Sequence, residues 1–261
     1  MVISDEPQDE IAVSVVIVVK DRESTVEKAV DSVLAQTAVG IELVVVDGAS
    51  ADGTLAVLKR YQDRIARLIS EPDEGIADAM NKGLAASRGE WVYFLGADDR
   101  LAGSDVFSAL VQSADGRHVD IISGSVLLGS GADESRRLDP RGFGFGSNFK
   151  TPLLHQGTLC RRSLFQRIGD FDASLAIAMD YDFFLRAYRE GESVGYIDRV
   201  IALMDGGGIG SRTDWVSLNP RIAEERRVHL RHCDSWWLRF VYFMYHPAYW
   251  LYRRIRALAG V

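Results

Sequence analysis

The sequence predicts an α/β fold: a mostly parallel central sheet flanked by helices, with a helical extension at the C-terminus. Three observations predict it. Valine-rich apolar runs of strand length recur through the first hundred residues, separated by segments with apolar residues at helical spacing. Two of these runs lead into acidic residues, Asp47 and Asp98, at the sheet edge where parallel α/β folds bind ligands. The final segment, from about residue 212, reads as two helices rich in arginine and aromatic residues.

Taken in order, Ala12 to Val19 is a continuous apolar run and reads as a strand buried on both faces. Ser24 to Gln36 places Val26, Val30, Val33 and Leu34 at helical spacing, with Ser24-Thr25 as the N-cap. A second buried strand, Ile41 to Val46, ends at Asp47. Thr54 to Asp63 reads as a helix, Ile65 to Ser70 as a short strand and Ile76 to Ser87 as a helix. Glu90 to Leu95 is a strand running into Gly96-Ala97-Asp98-Asp99. The middle is less regular, with short strands at 119–123 and 125–128 and a glycine-rich connection at 142–146. A short helix at 164–168 and a longer one at 180–189 follow. Four glycines within 206–210 predict a mobile loop. Helices at 212–232 and 235–258 close the chain, the second bent by Pro247.

With 261 residues, 47% hydrophobic and 26% charged, the composition is that of a globular protein and excludes disorder or a disulfide-dense miniature scaffold. The net charge of −7 argues against a nucleic-acid partner, which needs a broad basic face. That charge is unevenly spread. From Pro220 onward eight arginines face three acidic residues, a balance of +5 that leaves −12 to the preceding chain. Nine of the 25 aromatic residues lie between Trp236 and Tyr252. Cys160 and Cys233 form no CxxC and no disulfide framework, which points to a reducing compartment. The acidic opening Met1-Val2-Ile3-Ser4-Asp5-Glu6 lacks the apolar run of a signal peptide, so a cytoplasmic protein is expected.

Adjacent carboxylates at Asp98-Asp99 are costly to pack unless solvated or paired with a cation. They read either as a solvated turn or as a site for Mg²⁺ or Mn²⁺, hard cations bound by one or two carboxylates plus substrate phosphates. No His/Cys cluster has zinc spacing. The turn Asp47-Gly48-Ala49-Ser50-Ala51-Asp52-Gly53-Thr54 has no Walker lysine and no GxGxxG, excluding a P-loop and a dinucleotide fingerprint. The order of the pieces is more informative than any one of them. Ile69-Ser70-Glu71-Pro72-Asp73-Glu74-Gly75-Ile76-Ala77-Asp78-Ala79-Met80-Asn81-Lys82-Gly83 and Phe94-Leu95-Gly96-Ala97-Asp98-Asp99 follow the two valine strands, and Ala178-Met179-Asp180-Tyr181-Asp182 comes later.

In this arrangement the chain resembles the family 2 inverting glycosyltransferases of GT-A fold, closest to the bacterial branch of exopolysaccharide, lipopolysaccharide and colanic-acid assembly. The resemblance covers residues 13 to about 101 and resumes at 153–191. It implies transfer of a sugar from a nucleotide-diphosphate donor, a UDP-sugar favoured, to a hydroxyl acceptor, with Mg²⁺ or Mn²⁺ as cofactor. It implies a catalytic base at Asp180 and a carboxylate that pairs with the nucleotide base at Asp47. Val18, Lys20, Asp78 and His155 are further donor-binding candidates, and Asp98, with Asp99, is the metal candidate. Gly96 stands where the family's D-x-D motif often has its first Asp, and Lys20 where relatives often place an aromatic residue. Several readings stay open beside these. Asp78 also reads as a polar residue on a helix face, His155 as a structural hydrogen-bonding group, and Asp182 as a salt-bridge partner of Arg186 at i+4. Gly96 and Lys20 keep open a catalytically silent sugar-nucleotide sensor, and the tail a scaffold role.

The expected organisation is a catalytic domain over 1–205, with a nucleotide-binding half at 12–101 and an acceptor half at 102–205. A flexible loop and a basic aromatic helical tail then occupy 206–261. Arg239, His246 and Pro247 interrupt the tail's apolar stretch, so a spanning helix is not expected. Its tryptophans, tyrosines and arginines predict either a helix lying on the cytoplasmic membrane surface, beside a lipid-linked acceptor, or packing through 234–258 onto the domain or a second copy.

Overall fold

The computed structural model describes residues 11–38, 40–114, 116–129, 135–205 and 215–258, and the predicted loop at 206–210 lies outside them. Strands β1 (Val13–Val19), β2 (Ile41–Asp47), β3 (Arg67–Ser70) and β4 (Trp91–Gly96) form the parallel half of one sheet, in the order β3-β2-β1-β4. Helices α1 (Val26–Leu34), α2 (Thr54–Lys59) and α3 (Ile76–Ala86) connect them. Alternation along these strands explains why they read as unbroken apolar runs. Val13, Val15, Ile17 and Val19 pack with α1 and α2 on one face, whereas Val16 and Val44 pack with Ala77, Met80 and Leu84 of α3 on the other.

The second half of the sheet differs from the expected parallel order. Beyond β4 come β8 (Thr158–Arg161), β6 (Ile121–Leu128), β9 (Val194–Met204) and β5 (Arg100–Leu101), with β7 (Arg136–Leu138) on the edge of β6. Here β8 runs antiparallel to both neighbours, and β6 with β9 is parallel. The two short strands predicted at 119–128 are one strand, β6, whose register with β9 shifts between Ser123 and Val126. Helix α4 (Val106–Ala114) covers this half on the α1 side; α5 (Arg162–Ile168) and α6 (Met179–Arg189) cover it on the α3 side. The N-cap assigned to Thr25 is in place, yet its hydroxyl is buried with no hydrogen-bond partner.

The C-terminal extension is α7 (Trp215–Arg231) and α8 (Trp236–Leu258), which runs through Pro247. Leu218, Ile222 and Val228 of α7 are buried, and α8 contributes Leu238 and Tyr242. Tyr242 donates to the Asn148 carbonyl (2.8 Å) and stacks on His229 at 4.6 Å between ring centroids. His229 in turn contacts the Tyr181 hydroxyl (2.8 Å) and His246 (3.4 Å), so a buried polar chain runs from α8 through α7 to α6. Burial, aided by neighbouring cationic groups, pushes His229 down to about 3 and His246 down to about 4. Both folded values lie below that of a free imidazole, so the unfolded chain takes up the extra protons as pH falls below 6.5. The stability present above pH 6.5 is therefore lost on acidification toward 4. Wild-type unfolding free energy, and Tm with it, is expected to fall between pH 7 and 5, and His229→Gln to flatten the free-energy slope by at most about 1.4 kcal/mol per pH unit. Parallel Tm profiles for the two proteins would count against the buried neutral pair.

Candidate active site

The register of the parallel strands assembles one edge. Val19 of β1 lies opposite Asp47, Val18 lies opposite Val46 and Gly96, and Asp47 lies opposite Ser70. Asp47 is fully buried, and its carboxylate accepts hydrogen bonds from the hydroxyls of Ser50 and Ser70 (2.7 Å for Ser70) and from the Ser50 N–H (3.2 Å). Ser50 Oγ also accepts from the Asp21 N–H at 2.9 Å, and Asp21 Oδ1 accepts from the Ala51 N–H at 2.8 Å. One buried carboxylate thus ties together the loops that follow β1 and β2.

Lys20 is exposed just beyond β1. A Cβ at Gly48 would lie 2.0 Å from Asp73 Oδ2 and 3.4 Å from Lys20 Cδ, so glycine at 48 lets both side chains close on the backbone. Asp73 also accepts from the Gly75 N–H (3.0 Å) and shapes the turn into α3. Asp78, on the first turn of α3, accepts from the Glu74 N–H (3.0 Å) and pairs with Lys82 at 3.2 Å. Those two partners hold its carboxyl below the usual range, the hydrogen bond foremost. Both contacts fall on its Oδ2, within α3 and the turn before it.

The Gly96-Asp98-Asp99 turn closes on itself. A Cβ at residue 96 would lie 2.6 Å from Asp99 Oδ2 and 3.1 Å from Asp98 Oδ1, so Asp99 fills the space that a longer side chain at 96 would need. Asp99 is buried, and burial, then the adjacent charge of Asp98, raise its carboxyl to about 6; His155, the Asp205 N–H and the Gln156 side chain pull the other way. His155 opens the 3₁₀ turn His155–Gly157. Its Nδ1 is buried with no hydrogen-bond partner and faces Asp180 Oδ2 at 3.6 Å. Asp180 sits in the first turn of α6, and its Oδ1 accepts from the Tyr181 N–H at 2.7 Å. His155 thus faces Asp180 of the second half, and its imidazole also acts electrostatically on Asp99 of the first. Asp182 is instead buried in a salt bridge to Arg186 (2.9 Å) and bonded to His232 (2.7 Å), the ion pair the i+4 spacing predicts.

Among the described residues, no three His, Cys, Asp or Glu side chains are grouped to hold an ion unaided. The hard-cation chemistry does not demand it, since Mg²⁺ and Mn²⁺ are commonly held by one or two carboxylates, with phosphate oxygens and water completing the shell. The crowded pair Asp98-Asp99, one of them buried, fits such a share.

Sequence reasoning missed Ser70, Asp73, Gln156 and Asp205. Ser70 and Asp73 lie inside the 69–83 motif, in which Asp78 is the candidate singled out, and the register with Asp47 is what gives Ser70 its contact. Asp205 contributes a backbone N–H at the end of β9, a group no side-chain pattern can signal.

The model for "Glycosyl transferase family 2" matches residues 14–181, spanning β1 through the start of α6. A "PGL/p-HBAD biosynthesis glycosyltransferase" of Mycobacterium bovis is 36% identical over 169 residues, 60% of this chain and 62% of the relative. An uncharacterised glycosyltransferase of Mycobacterium tuberculosis is 35% identical over 195 residues, 72% of each chain. Among solved structures, Staphylococcus aureus TarS 1–349 in complex with UDP-GlcNAc superposes with a TM-score of 0.68 at 19% identity, covering 86% of this chain and 68% of TarS. The mannosyltransferase PcManGT from Pyrobaculum calidifontis, in complex with GDP-Man and Mn²⁺, gives 0.69 at 20% identity, covering 97% and 76%. These likenesses show the GT-A fold. With the family model covering well over half of the chain, and the acidic turn and α6 carboxylate in place, this protein belongs to glycosyltransferase family 2.

Proposed function

We propose that this protein transfers a sugar, with inversion, from a nucleotide-diphosphate donor to a hydroxyl acceptor in bacterial surface polysaccharide or glycolipid assembly. The single observation that carries the reading is the buried, unpartnered His155 Nδ1 facing Asp180 Oδ2 at 3.6 Å, with the imidazole also near enough to Asp99 to lower its pKa. Asp180 Oδ2, partly exposed and facing His155, takes the proton of the attacking hydroxyl. His155 Nδ1, buried and unpartnered beside that oxygen, orients the carboxylate and offers it a donor. Asp98 and Asp99 would hold Mg²⁺ or Mn²⁺, which supplies charge neutralisation for the leaving diphosphate when bound. The nucleotide lies over the loops tied together by Asp47, with Val18 and Lys20 beneath it; direct pairing with Asp47 needs Ser50 or Ser70 to release an oxygen. TarS with UDP-GlcNAc and PcManGT with GDP-Man support a nucleotide-sugar donor, and a UDP-sugar is the first choice. Mn²⁺ in the latter supports the cation.

A thermal-shift panel of nucleotide diphosphates and sugar nucleotides, with and without Mn²⁺, tests this reading. One donor is expected to raise Tm only with the cation, the gain at a hundredfold excess over Kd amounting to about 2.7 kcal/mol. No shift with any sugar nucleotide would contradict it, and binding without nucleotide diphosphate release would favour the sensor role.

The surface of α8 supports a place on the inner face of the cytoplasmic membrane. Its underside packs on the protein, but Trp236 is 82% exposed, Phe243 72% and Phe240 63%, with Met244, Leu251 and Ile255 along the same helix. Arg239, Arg253, Arg254 and Arg256 accompany them. Among the described residues no helix is long and apolar enough to cross a membrane. An amphipathic helix with exposed tryptophan and arginine suits an anionic headgroup boundary, which would bring a lipid-linked acceptor to the site. In flotation with anionic liposomes the wild type is expected to rise with the vesicles and Phe240→Glu/Phe243→Glu to stay below. Wild type that stays below but forms dimers would make the same face a contact between copies.

A further inference from the structure

The C-terminal helix α7 lies outside the family match, which ends at residue 181. It nevertheless touches the chain on both sides of Asp180. The buried Glu224 carboxylate accepts three backbone hydrogen bonds, from Ala176 (3.0 Å), Ile177 (2.8 Å) and Ala178 (2.9 Å). Past Asp180, His229 meets the Tyr181 hydroxyl (2.8 Å) and His232 meets Asp182 (2.7 Å). Asp180 alone in this stretch is left facing His155.

The chemistry of the α6 start explains why this grip is needed. The first N–H groups of a helix have no partner within it, and an N-cap side chain ordinarily accepts from them. Here the N-cap residue is Ala178, which has no side-chain acceptor, and no side-chain cap is made. Glu224 does not replace that cap. From another helix it accepts the N–H groups of Ala176 and Ile177, which lead into α6, and of the N-cap residue Ala178. These are charge-assisted bonds, about twice as strong as neutral ones, and negative charge is favoured at that end of α6. The backbone entering the catalytic turn is therefore set by α7.

We infer that α7 is a positioning element for the proposed catalytic base, and that Glu224, by fixing the backbone of 176–178, holds Asp180 at the distance and angle that proton removal requires. The inference rests on the reading of Asp180 as the base. Displacing a reacting group by about 1 Å can cost 10²-fold in rate with little loss of binding elsewhere. Donor affinity comes from the β1, β2 and β4 edge, which Glu224 does not touch.

The test is steady-state kinetics on the full chain with the donor identified by thermal shift, comparing Glu224→Ala, Glu224→Gln, Asp180→Asn and Val228→Ala. Val228 is a buried apolar residue of the same helix and controls for general loosening of α7. Glu224→Ala is expected to lower kcat about 10- to 100-fold while the donor KM stays within about twofold. Glu224→Gln, which keeps one carbonyl oxygen, is expected to recover part of that loss. Val228→Ala is expected to lower Tm and leave kcat per donor-binding protein near wild type. Should Glu224→Ala not fold, the same kcat-against-KM split in Glu224→Gln decides. A glutamate variant that keeps wild-type kcat, or one whose loss matches Val228→Ala at equal Tm, overturns the inference. Full activity in Asp180→Asn would instead overturn the reading of the base.

Discussion

Asp180→Asn is expected to lower kcat by about 10²-fold or more, roughly 2.7 kcal/mol of transition-state stabilisation, with donor Kd within about twofold of wild type. The side chains are nearly isosteric, and the hydrogen bond that Asp180 accepts from the Tyr181 N–H is available to the amide oxygen as well. What the amide lacks is the capacity to take a proton from the acceptor hydroxyl. The oxygen concerned is the one facing His155 at 3.6 Å. Single-turnover rates at saturating donor, with donor binding measured by calorimetry, separate the two quantities. More than about a tenth of the wild-type rate would assign the base elsewhere, since general-base contributions are typically 10²-fold or larger.

Asp98→Asn is expected to act on the other half of the reaction. On the proposed reading Asp98 and Asp99 would give the cation two carboxylates, and loss of one charged oxygen should weaken cation-dependent donor binding by at least about tenfold, or 1.4 kcal/mol. Calorimetric titration of the donor into mutant and wild type, with Mn²⁺ and with chelator, reads the effect. An unchanged Mn²⁺ enhancement in Asp98→Asn would remove it from the ligand set.

The parallel half of the fold was legible because burial on both faces leaves an unmistakable record. The valines of β1 and β2 serve two cores at once and cannot be polar on either side. Strand β9 left no such record. Asp198 and Arg199 in its middle pair with Arg137 and Asp105 on neighbouring elements, so its apolar residues do not run together. The same holds for the site. Asp47, Asp98 and Asp180 could be picked out as single residues in ordered motifs, and the structure brings His155 to face Asp180 at 3.6 Å. The buried environment of Asp47, the filled space beside Gly96 and the Glu224 bonds to α6 depend on approaches between distant segments, and local spacing carries no trace of them. The tail was open between packing and membrane contact; the underside of α8 packs, and its outer face keeps the aromatic residues exposed.

The most direct test of the proposed reaction is the anomeric configuration of its product. The measurement is proton NMR during incubation of the protein and Mn²⁺ with an α-linked UDP-sugar, chosen by thermal shift, and a panel of simple alkyl glycosides. Direct attack by a hydroxyl deprotonated by Asp180 gives UDP and a β-linked product, both absent with Asp180→Asn. An α-linked product, or a β-linked product formed equally well by Asp180→Asn, would contradict inverting transfer through this carboxylate.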